Sequence, residues 1–340
     1  MKLITFTVPC YNSAAYMEKC VHSLLRAGED AEIILVDDGS TDETPAIADD
    51  FAAKHPGIIK VIHQENGGHG EGVNQGIRHA EGLYFKVVDS DDWLDGEALD
   101  HLMTLLRHMN TLDRPIDLII CNYVYEHVED NTQRFMRYAN VLPEGRVFGW
   151  EEVGRLSATQ FVTMHAVTYR TQVLRDAGIE LPKHTFYVDN VYVYQPLPSV
   201  RTLYYLNADL YRYFIGRADQ SITEENLIKR IDQQILVTKL LADSHDLDAL
   251  AKENKRLARY MTHYLSIMLM ICTIYLLLSG TDEHMRKKDE LWAWLKQNHR
   301  KTWRHMRFNS SNAVFLIRGR LGRKFLLFCY RLIRKKYKFN

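Results

Sequence analysis

Apolar and polar residues alternate along the first hundred or so positions in blocks that predict strands followed by helices. Three apolar runs of strand length, Leu3–Val8, Glu32–Val36 and Leu83–Val88, each lead directly into a polar segment. Between them, Ala14–Ala27 and Thr44–His55 place apolar residues at helical spacing. Because nearly continuous apolar strands suit a parallel sheet covered on both faces, this order predicts a βαβαβ arrangement in an α/β fold.

The polar segments fall at the carboxyl edge of the predicted sheet, where ligands of such sheets bind. The last of them is Asp89-Ser90-Asp91-Asp92. Ionised side chains that emerge from a buried strand are costly to desolvate, and a bound cation compensates their charge. Asp and Ser also favour turns and helix N-caps, so Trp93 could instead open the next helix. The neighbouring polar segments favour the metal site.

Taken together, the polar segments resemble those of the family 2 glycosyltransferases, which have the GT-A fold. The resemblance rests on five motifs in order, namely Val8–Asn12, Val36–Asp42, Asn66–Gly68, Asn74–Ile77 and Asp89–Asp92. It implies a Rossmann-like, mostly parallel sheet flanked by helices over residues 1–223. An α-helical C-terminal region would then occupy residues 224–340.

The resemblance also implies a UDP-sugar donor, held at this edge together with Mn²⁺ or Mg²⁺. Asp38 corresponds to the carboxylate that accepts a hydrogen bond from uracil, and Asp89 and Asp91 correspond to the metal ligands. A hard divalent ion takes oxygen ligands and neutralises charge on the departing UDP. The implied donor-binding residues are Pro9, Tyr11, Asn12, Asp38, Asn66, Gly68, Asn74, Asp89, Ser90, Asp91 and Arg217.

A sugar transferase needs a base, because an acceptor hydroxyl is a poor nucleophile until its proton is withdrawn. The segment Thr185–Tyr192 resembles the family's Glu-Asp element, with Val188 in place of the usual Glu, which leaves Asp189 as the base. Burial near the acceptor would raise the pKa of this carboxyl and help it take a proton. Asp-Asn is also a favoured helix start, so an N-cap role for Asp189 stays open. The implied mechanism is a single displacement with inversion.

The glycine-rich stretch Asn66–Gly72 does not fit the dinucleotide fingerprint, because Val73 stands at its last glycine position. A nicotinamide site is therefore disfavoured. Within this stretch, His69 is either a donor contact or an exposed loop histidine. The family often carries Arg where Val73 stands, which leaves one expected contact in doubt. The segment Tyr211–Thr223 resembles the element after the last strand, where Arg217 would reach the diphosphate.

Three further residues are candidates for the acceptor side of the site. Asp92 closes the acidic motif, and Trp93 could stack on a sugar face, although core packing is the alternative for an indole. His165 lies in the region that corresponds to the family's acceptor cleft. A buried histidine with satisfied hydrogen bonds is the alternative for His165.

The formal net charge of zero conceals a strongly basic C-terminus. Residues 291–340 carry fourteen Lys and Arg and no acidic residue. Residues 318–340 alternate apolar clusters with basic residues, the composition of a helix that lies on an anionic membrane surface, with nucleic-acid binding as the weaker alternative. The uncharged stretch Tyr260–Thr281 predicts a buried helix of a C-terminal bundle rather than a membrane span or a dimer interface.

The cysteine spacing and the N-terminal residues indicate the cellular compartment in which the protein is expected. Five scattered cysteines form no metal-binding spacing, and no secretory signal pattern opens the sequence. We therefore expect a reducing, cytoplasmic location, with the protein peripheral at the inner face of the cell membrane.

The function expected from these features is inverting transfer of a sugar from a UDP-sugar to a hydroxyl group. The acceptor would be a cell-surface glycan, an exopolysaccharide, a teichoic-acid-like polymer or a lipid-linked precursor. Because Val188 replaces a Glu, a catalytically inactive sugar-nucleotide-binding or scaffolding partner is the alternative. A nucleotidyltransferase is disfavoured, since no glycine- and lysine-rich triphosphate loop is present near the N-terminus. No nucleic-acid partner is expected, and a homo-oligomer stays open.

Overall fold

A computed structural model describes residues 1–112, 115–127, 130–216 and 224–308, together with Asn312 and Leu326. These residues form two compact units. The first, here called the sheet unit, contains Met1–Arg155 and Val162–Gly216. The second, the helical unit, contains Leu156–Phe161 and the described residues from 224 onward. The sequence does not predict that Leu156–Phe161 belongs to the helical unit. A domain boundary at residue 223 stays a prediction.

The sheet unit contains ten strands and six helices in the described residues. Its strands are β1 (Ile4–Cys10), β2 (Ala31–Asp37), β3 (Ile59–His63), β4 (Tyr84–Val87), β5 (Trp93–Leu94), β6 (Leu118–His127), β7 (Thr132–Met136), β8 (Val147–Phe148), β9 (Val167–Arg170) and β10 (Leu203–Ile215). Its helices are α1 (Met17–Leu25), α2 (Thr44–Lys54), α3 (His69–His79), α4 (Gly96–Thr111), α5 (Thr171–Asp176) and α6 (Asp189–Tyr194).

One half of the sheet is parallel, as the sequence predicts. The sheet order is β3-β2-β1-β4-β9-β6-β10-β5, and β1 pairs in parallel with both β2 and β4. Every residue of β1, β2 and β4 is buried, which explains their continuous apolar character. Their carboxyl ends therefore meet at one edge of the sheet.

The other half is mixed, because β9 runs antiparallel to both β4 and β6, whereas β10 runs parallel to β6. The structure corrects one alternative and one expectation here. Trp93 does not open a helix but lies in β5, which pairs with β10, and α4 begins only at Gly96 with Asp95 as its N-cap. The residues from Tyr211 to Ile215 belong to the last strand itself rather than to an element after it.

The glycine-rich stretch is partly helical, since α3 begins at His69. This helix packs on β1, where a Cβ at Gly72 would lie 2.9 Å from the Cβ of Pro9 and a Cβ at Gly76 would collide with the Thr7 side chain. The glycines therefore allow close contact between helix and strand. The alternative of an exposed loop histidine is therefore wrong for His69, which is half-buried at the start of α3.

The helical unit contains α7 (Glu224–Lys229), α8 (Ile231–Ser244), α9 (Leu247–Glu253), α10 (Lys255–Ser279), α11 (Asp282–Asn298) and α12 (Arg300–Phe308). Helix α10 is long and apolar enough to cross a membrane by length and composition, yet 61% of its most apolar window is buried within the chain. It packs against α8, α9 and α11. The predicted buried helix in a C-terminal bundle is therefore what the structure shows. The basic tail of residues 318–340 lies outside the described residues, apart from Leu326.

Candidate active site

The loops that follow β1, β2 and β4 are tied together by hydrogen bonds. The Asn12 side-chain oxygen accepts from the Thr41 backbone nitrogen at 2.8 Å, which joins the first two loops. The Ser13 and Ser90 hydroxyls lie 2.7 Å apart, which joins the first loop to the acidic motif. The three polar segments therefore form one continuous edge, as parallel strand order predicts.

The predicted nucleotide loop presents residues of different exposure. Pro9 is buried at the end of β1, beneath α3. Tyr11 is 55% exposed, and Asn12 has a left-handed backbone with φ of 50°. The Tyr11 side chain is thus accessible to a ligand, whereas Pro9 is buried and packs against α3.

The Asp38 carboxylate is buried and holds the next loop. Its Oδ1 accepts from Gln64 Nε2 at 2.6 Å and from the Gly67 nitrogen at 2.7 Å, and its Oδ2 accepts from the Gly68 nitrogen at 2.8 Å. Asn66 donates from its side chain to the Asp38 carbonyl oxygen at 2.9 Å. Asp38, Asn66 and Gly68 are therefore brought together, but the carboxylate already has three internal donors.

Asn74 lies away from the exposed edge. Its side chain is buried and exchanges two hydrogen bonds of 2.9 Å with the backbone of Leu181, 107 residues further along the chain. It also donates to the Glu71 carboxylate at 3.1 Å. The structure therefore gives Asn74 a structural role in fastening α3 to a distant segment. Its predicted contact with the donor stays a prediction.

Asp89 is half-buried at the end of β4, and its surroundings hold it firmly. His69 Nε2 lies 2.9 Å from Asp89 Oδ1, and the Asp89 backbone nitrogen donates to the Tyr211 hydroxyl at 3.0 Å. Burial alone would raise the pKa of Asp89, but the hydrogen bond and charge of His69 outweigh it and hold the pKa below its usual value. Asp89 is thus an anion at neutral pH, with a basic side chain beside it.

Asp92 is fully buried and serves the scaffold. Its Oδ2 accepts from the Tyr211 hydroxyl at 2.6 Å, and its Oδ1 accepts from the Phe214 nitrogen at 2.8 Å. Burial raises the pKa of Asp92 well above its usual value, and the charges of Asp91 and Asp89 add to this effect. The predicted acceptor-side role of Asp92 does not fit this placement, because both carboxyl oxygens bind the last strand.

Asp189 is the first residue of α6, and the cap residue is Val188, which makes no side-chain capping bond. Burial raises the pKa of the half-buried Asp189 carboxyl to about 6; the charge of His69 opposes this shift and the charge of Asp89 adds to it. Asp189 therefore lies within the electrostatic reach of both residues. A carboxyl with a pKa of about 6 is suited to accept a proton near neutral pH.

His165 lies in a short 3₁₀ helix against the last strand. Its ring stacks on Tyr213 at a centroid distance of 4.5 Å, and burial lowers its pKa to about 4, so the ring is neutral at pH 7. Lys86 is fully buried beneath it, donates to the His165 carbonyl oxygen at 2.8 Å, and has its pKa lowered by burial to about 8. The backbone of the 3₁₀ helix that contains His165 is thus held by a hydrogen bond from the buried Lys86 ammonium group.

Trp93 and Arg217 are the remaining predicted residues. The Trp93 ring is half-buried, and the Lys19 ammonium nitrogen lies 2.9 Å from its centroid, so one face is occupied by a cation. Arg217 lies outside the described residues, and its diphosphate contact stays a prediction.

The donor set of the site fits a divalent cation. Ligand atoms of Asp89, Asp92 and His165 lie within 4.8 Å of one another, and the neutral His165 ring can offer a lone pair. Asp92 already uses both oxygens, which makes it the weakest ligand of the three. Asp91, half-buried beside them, is the predicted second carboxylate. Carboxylate and imidazole donors suit Mn²⁺, and carboxylates with water suit Mg²⁺.

Two contributors to this site escape prediction from sequence. Tyr211 fixes Asp89, and Lys86 fixes the His165 segment. His69, a candidate from the sequence as a donor contact, also fixes Asp89. A lysine within an otherwise apolar strand is a signal that could have singled out Lys86, because a buried ammonium group needs partners. Spacing alone does not reveal that Tyr211 reaches Asp89.

The described edge carries the motif order of a known family. The family model described as glycosyl transferase family 2 matches residues 5–170. This segment belongs to family 2 of the glycosyltransferases. The match contains every loop described above as far as His165, and it ends before Asp189.

Two relatives show how far family 2 similarity extends. EpsH of Bacillus subtilis, a glycosyltransferase by name, is 31% identical over 229 residues, which cover 62% of this chain and 63% of EpsH. The glycosyltransferase GlyG of Streptococcus pneumoniae is 38% identical over 133 residues, which cover 38% of this chain and 42% of GlyG. The chain thus spans less than two thirds of the length of either relative.

Known structures show the same fold. S. aureus TarS 1-349 in complex with UDP-GlcNAc superposes with a TM-score of 0.66 at 19% identity, covering 90% of this chain and 87% of TarS 1-349. The mannosyltransferase PcManGT of Pyrobaculum calidifontis, in complex with GDP-Man and Mn²⁺, gives a TM-score of 0.52 at 15% identity, covering 89% and 83%. The GT-A architecture with a helical C-terminal region is therefore confirmed.

Proposed function

We propose that this family 2 protein is an inverting glycosyltransferase that uses a UDP-sugar and Mn²⁺ or Mg²⁺. The acceptor is a hydroxyl of a cell-surface glycan, exopolysaccharide, teichoic-acid-like polymer or lipid-linked precursor. One observation supports the reaction most strongly. A carboxyl with a pKa of about 6, Asp189, lies in the field of the fixed anion Asp89 at the polar edge of the sheet. A proton acceptor and a donor-binding anion are thus neighbours.

The proposed reaction is a single displacement. Asp189 takes the proton of the acceptor hydroxyl while that oxygen forms a bond to the anomeric carbon of the donor. The bond from this carbon to the diphosphate breaks, and UDP leaves with the electron pair from the opposite face, so the configuration inverts. Asp89 and Asp91 would hold the cation, which when bound neutralises charge on the departing diphosphate.

The choice of donor and cation is supported by the known structures. TarS was captured with UDP-GlcNAc, and PcManGT with GDP-Man and Mn²⁺. Tyr11, Asn12 and Asp38 remain the proposed nucleotide-binding residues, and Arg217 the proposed diphosphate contact. On the acceptor side we retain Trp93 and His165, because Asp92 is committed to the last strand.

We also propose that the chain works at the cytoplasmic face of the cell membrane. The basic residues 318–340 would bind anionic lipid, each basic residue near the surface contributing about 1 kcal/mol. Helix α12 continues this composition within the described residues, since Arg300, Lys301, Arg304 and Arg307 are exposed on it. No nucleic-acid partner is proposed, and a homo-oligomer stays open.

Release of UDP tests the proposed activity. The purified chain is incubated with a panel of UDP-sugars and Mn²⁺, and free UDP is measured for the wild type and for Asp189→Asn. We expect one UDP-sugar to release UDP in the wild type and far less in the variant. The alternative, an inactive sugar-nucleotide-binding or scaffolding partner, would be favoured by a different result. In that case both proteins would bind the UDP-sugar, and neither would release UDP even when glycan acceptors are added.

Flotation with liposomes tests the location. The full chain and a variant lacking residues 318–340 are mixed with vesicles of phosphatidylglycerol or of phosphatidylcholine alone. We expect only the full chain to float, and only with the anionic vesicles. Equal flotation of both proteins would contradict the membrane role of the tail, and retention on nucleic acid would support the alternative partner.

A further inference from the structure

His69 contacts one carboxylate of the proposed site and interacts with two others through their charges. Its Nε2 lies 2.9 Å from Asp89 Oδ1. Because an ionised carboxylate only accepts hydrogen bonds, Nε2 must be the donor. Asp189 and Asp91 also act on the His69 ring through their charges. A basic side chain therefore stands among three carboxylates at the edge where a diphosphate would bind.

The rest of Asp89 is already fixed by other partners. Its backbone nitrogen donates to the Tyr211 hydroxyl at 3.0 Å, and its carbonyl oxygen accepts from the Cys20 thiol at 3.6 Å. Tyr211 in turn donates to Asp92 at 2.6 Å, which holds its hydroxyl in place. The orientation of the Asp89 carboxylate is the remaining freedom, and His69 restricts it.

His69 is itself rigidly placed. The Gly67 and Gly68 nitrogens both donate to the Asp38 carboxylate, and the Gly67 carbonyl oxygen accepts from the His184 nitrogen at 2.8 Å. Gly68 has a φ of 81°, and a Cβ there would lie 2.9 Å from the His184 nitrogen. The peptide that leads into His69 is therefore held on both sides, so the ring approaches Asp89 from a defined direction.

We propose that His69 is a positioning residue of the transfer reaction, which holds the Asp89 carboxylate in its donor-binding orientation. This inference rests on the proposed function. Without His69, Asp89 is free to rotate, and uncompensated carboxylates repel the diphosphate of the donor. The loss should appear in binding of the donor more than in the chemical step.

Two substitutions separate this role from a general structural one. The amide nitrogen of Gln reaches about as far as Nε2 of His, whereas that of Asn is one bond shorter. Binding of UDP is measured by calorimetry with and without Mn²⁺, and UDP-sugar turnover gives kcat and KM. We expect His69→Asn to weaken UDP binding and raise KM about tenfold, the loss of one charge-assisted hydrogen bond, and His69→Gln to restore most of it.

His79→Asn, in the last turn of the same helix, is the matched control and should bind UDP like the wild type. The inference is overturned if His69→Asn binds UDP like the wild type, or if Gln and Asn lose equal affinity. It is also overturned if both variants lose affinity only in proportion to a lowered melting temperature. A wild-type chain that binds no UDP would instead count against the proposed function.

Discussion

Two aspartates in loops at the same edge of the sheet, Asp38 and Asp89, are held in different ways. At the end of β2, Asp37 accepts from the Ser40 nitrogen and from His63, and the next residue, Asp38, accepts three hydrogen bonds from residues 64–68. After β4, Asp89 is held at one oxygen by His69, while Asp91 is half-buried next to it. The internal hydrogen bonds of Asp38 thus shape the scaffold, as do those of Asp92 in the second loop. The Asp89 side chain has a single hydrogen-bond partner, His69, among the described residues. The count of internal donors, more than the motif, distinguishes Asp38 from Asp89.

Removing the proposed base should have the largest effect. Asp189→Asn cannot take up a proton, so kcat should fall about a thousandfold, the usual range for loss of a general base. Rates of sugar transfer to the acceptor measure this. Asp176→Asn, an exposed aspartate at the end of α5, is the matched control. A kcat within a few-fold of the wild type would refute the role of Asp189.

The second loop should matter next, through the donor. Asp89→Asn keeps an acceptor for His69 but removes the charge, so we expect KM for the UDP-sugar to rise about a hundredfold as charge-assisted contacts are lost. Steady-state kinetics at saturating Mn²⁺ give the value. Asp50→Asn, exposed on α2, should leave KM unchanged. An unaltered KM in Asp89→Asn would place the donor elsewhere.

The first loop should matter for stability in addition to the nucleotide contact proposed for Asp38. Asp38→Asn places an amide group against backbone N–H donors, so the free energy of unfolding should fall by about 1–3 kcal/mol. Urea denaturation without nucleotide measures it. Asp89→Asn should change the free energy of unfolding by less than Asp38→Asn does. If Asp38→Asn and Asp89→Asn lowered the free energy of unfolding equally, the proposed difference between the two loops would be wrong.

The smallest expected effect is that of pH. Burial raises the pKa of Asp189 to about 6 from an ordinary 3.8, so the ionised base is lost as the pH falls through 6. We expect kcat/KM to be about tenfold lower at pH 5 than on the plateau above pH 7. A flat profile from pH 5 to 7 would show that no group with this pKa limits the reaction.

Much of the parallel half of the fold could be predicted from the sequence. The apolar runs of β1, β2 and β4 are buried on both faces, so their hydrophobic pattern and their carboxyl-end polar loops are local signals. The mixed half could not be predicted, because β9 and β10 are ordered by pairings between distant residues. Thus the pattern predicts Tyr211–Ile215 after the last strand, although these residues complete it.

The candidate site shows the same limit. The motif indicates which residues are acidic, but it does not reveal that Asn74 would be fastened to Leu181, 107 residues away, or that Asp92 would bind Tyr211. His69 lies twenty residues before Asp89, and only the packing of α3 on β1 brings them together. Tertiary hydrogen bonds therefore decide which polar residues of a motif remain available to a ligand.

Calorimetric titration of UDP into the wild-type chain, first with Mn²⁺ and then after the cation is removed with EDTA, tests the central claim most directly. If the edge formed by Asp89, Asp91 and their neighbours holds a diphosphate through a cation, UDP should bind with Mn²⁺, bind far more weakly without it, and bind weakly to Asp91→Asn under both conditions. UDP binding that is equally strong in all of these titrations, or absent from all, would contradict the account.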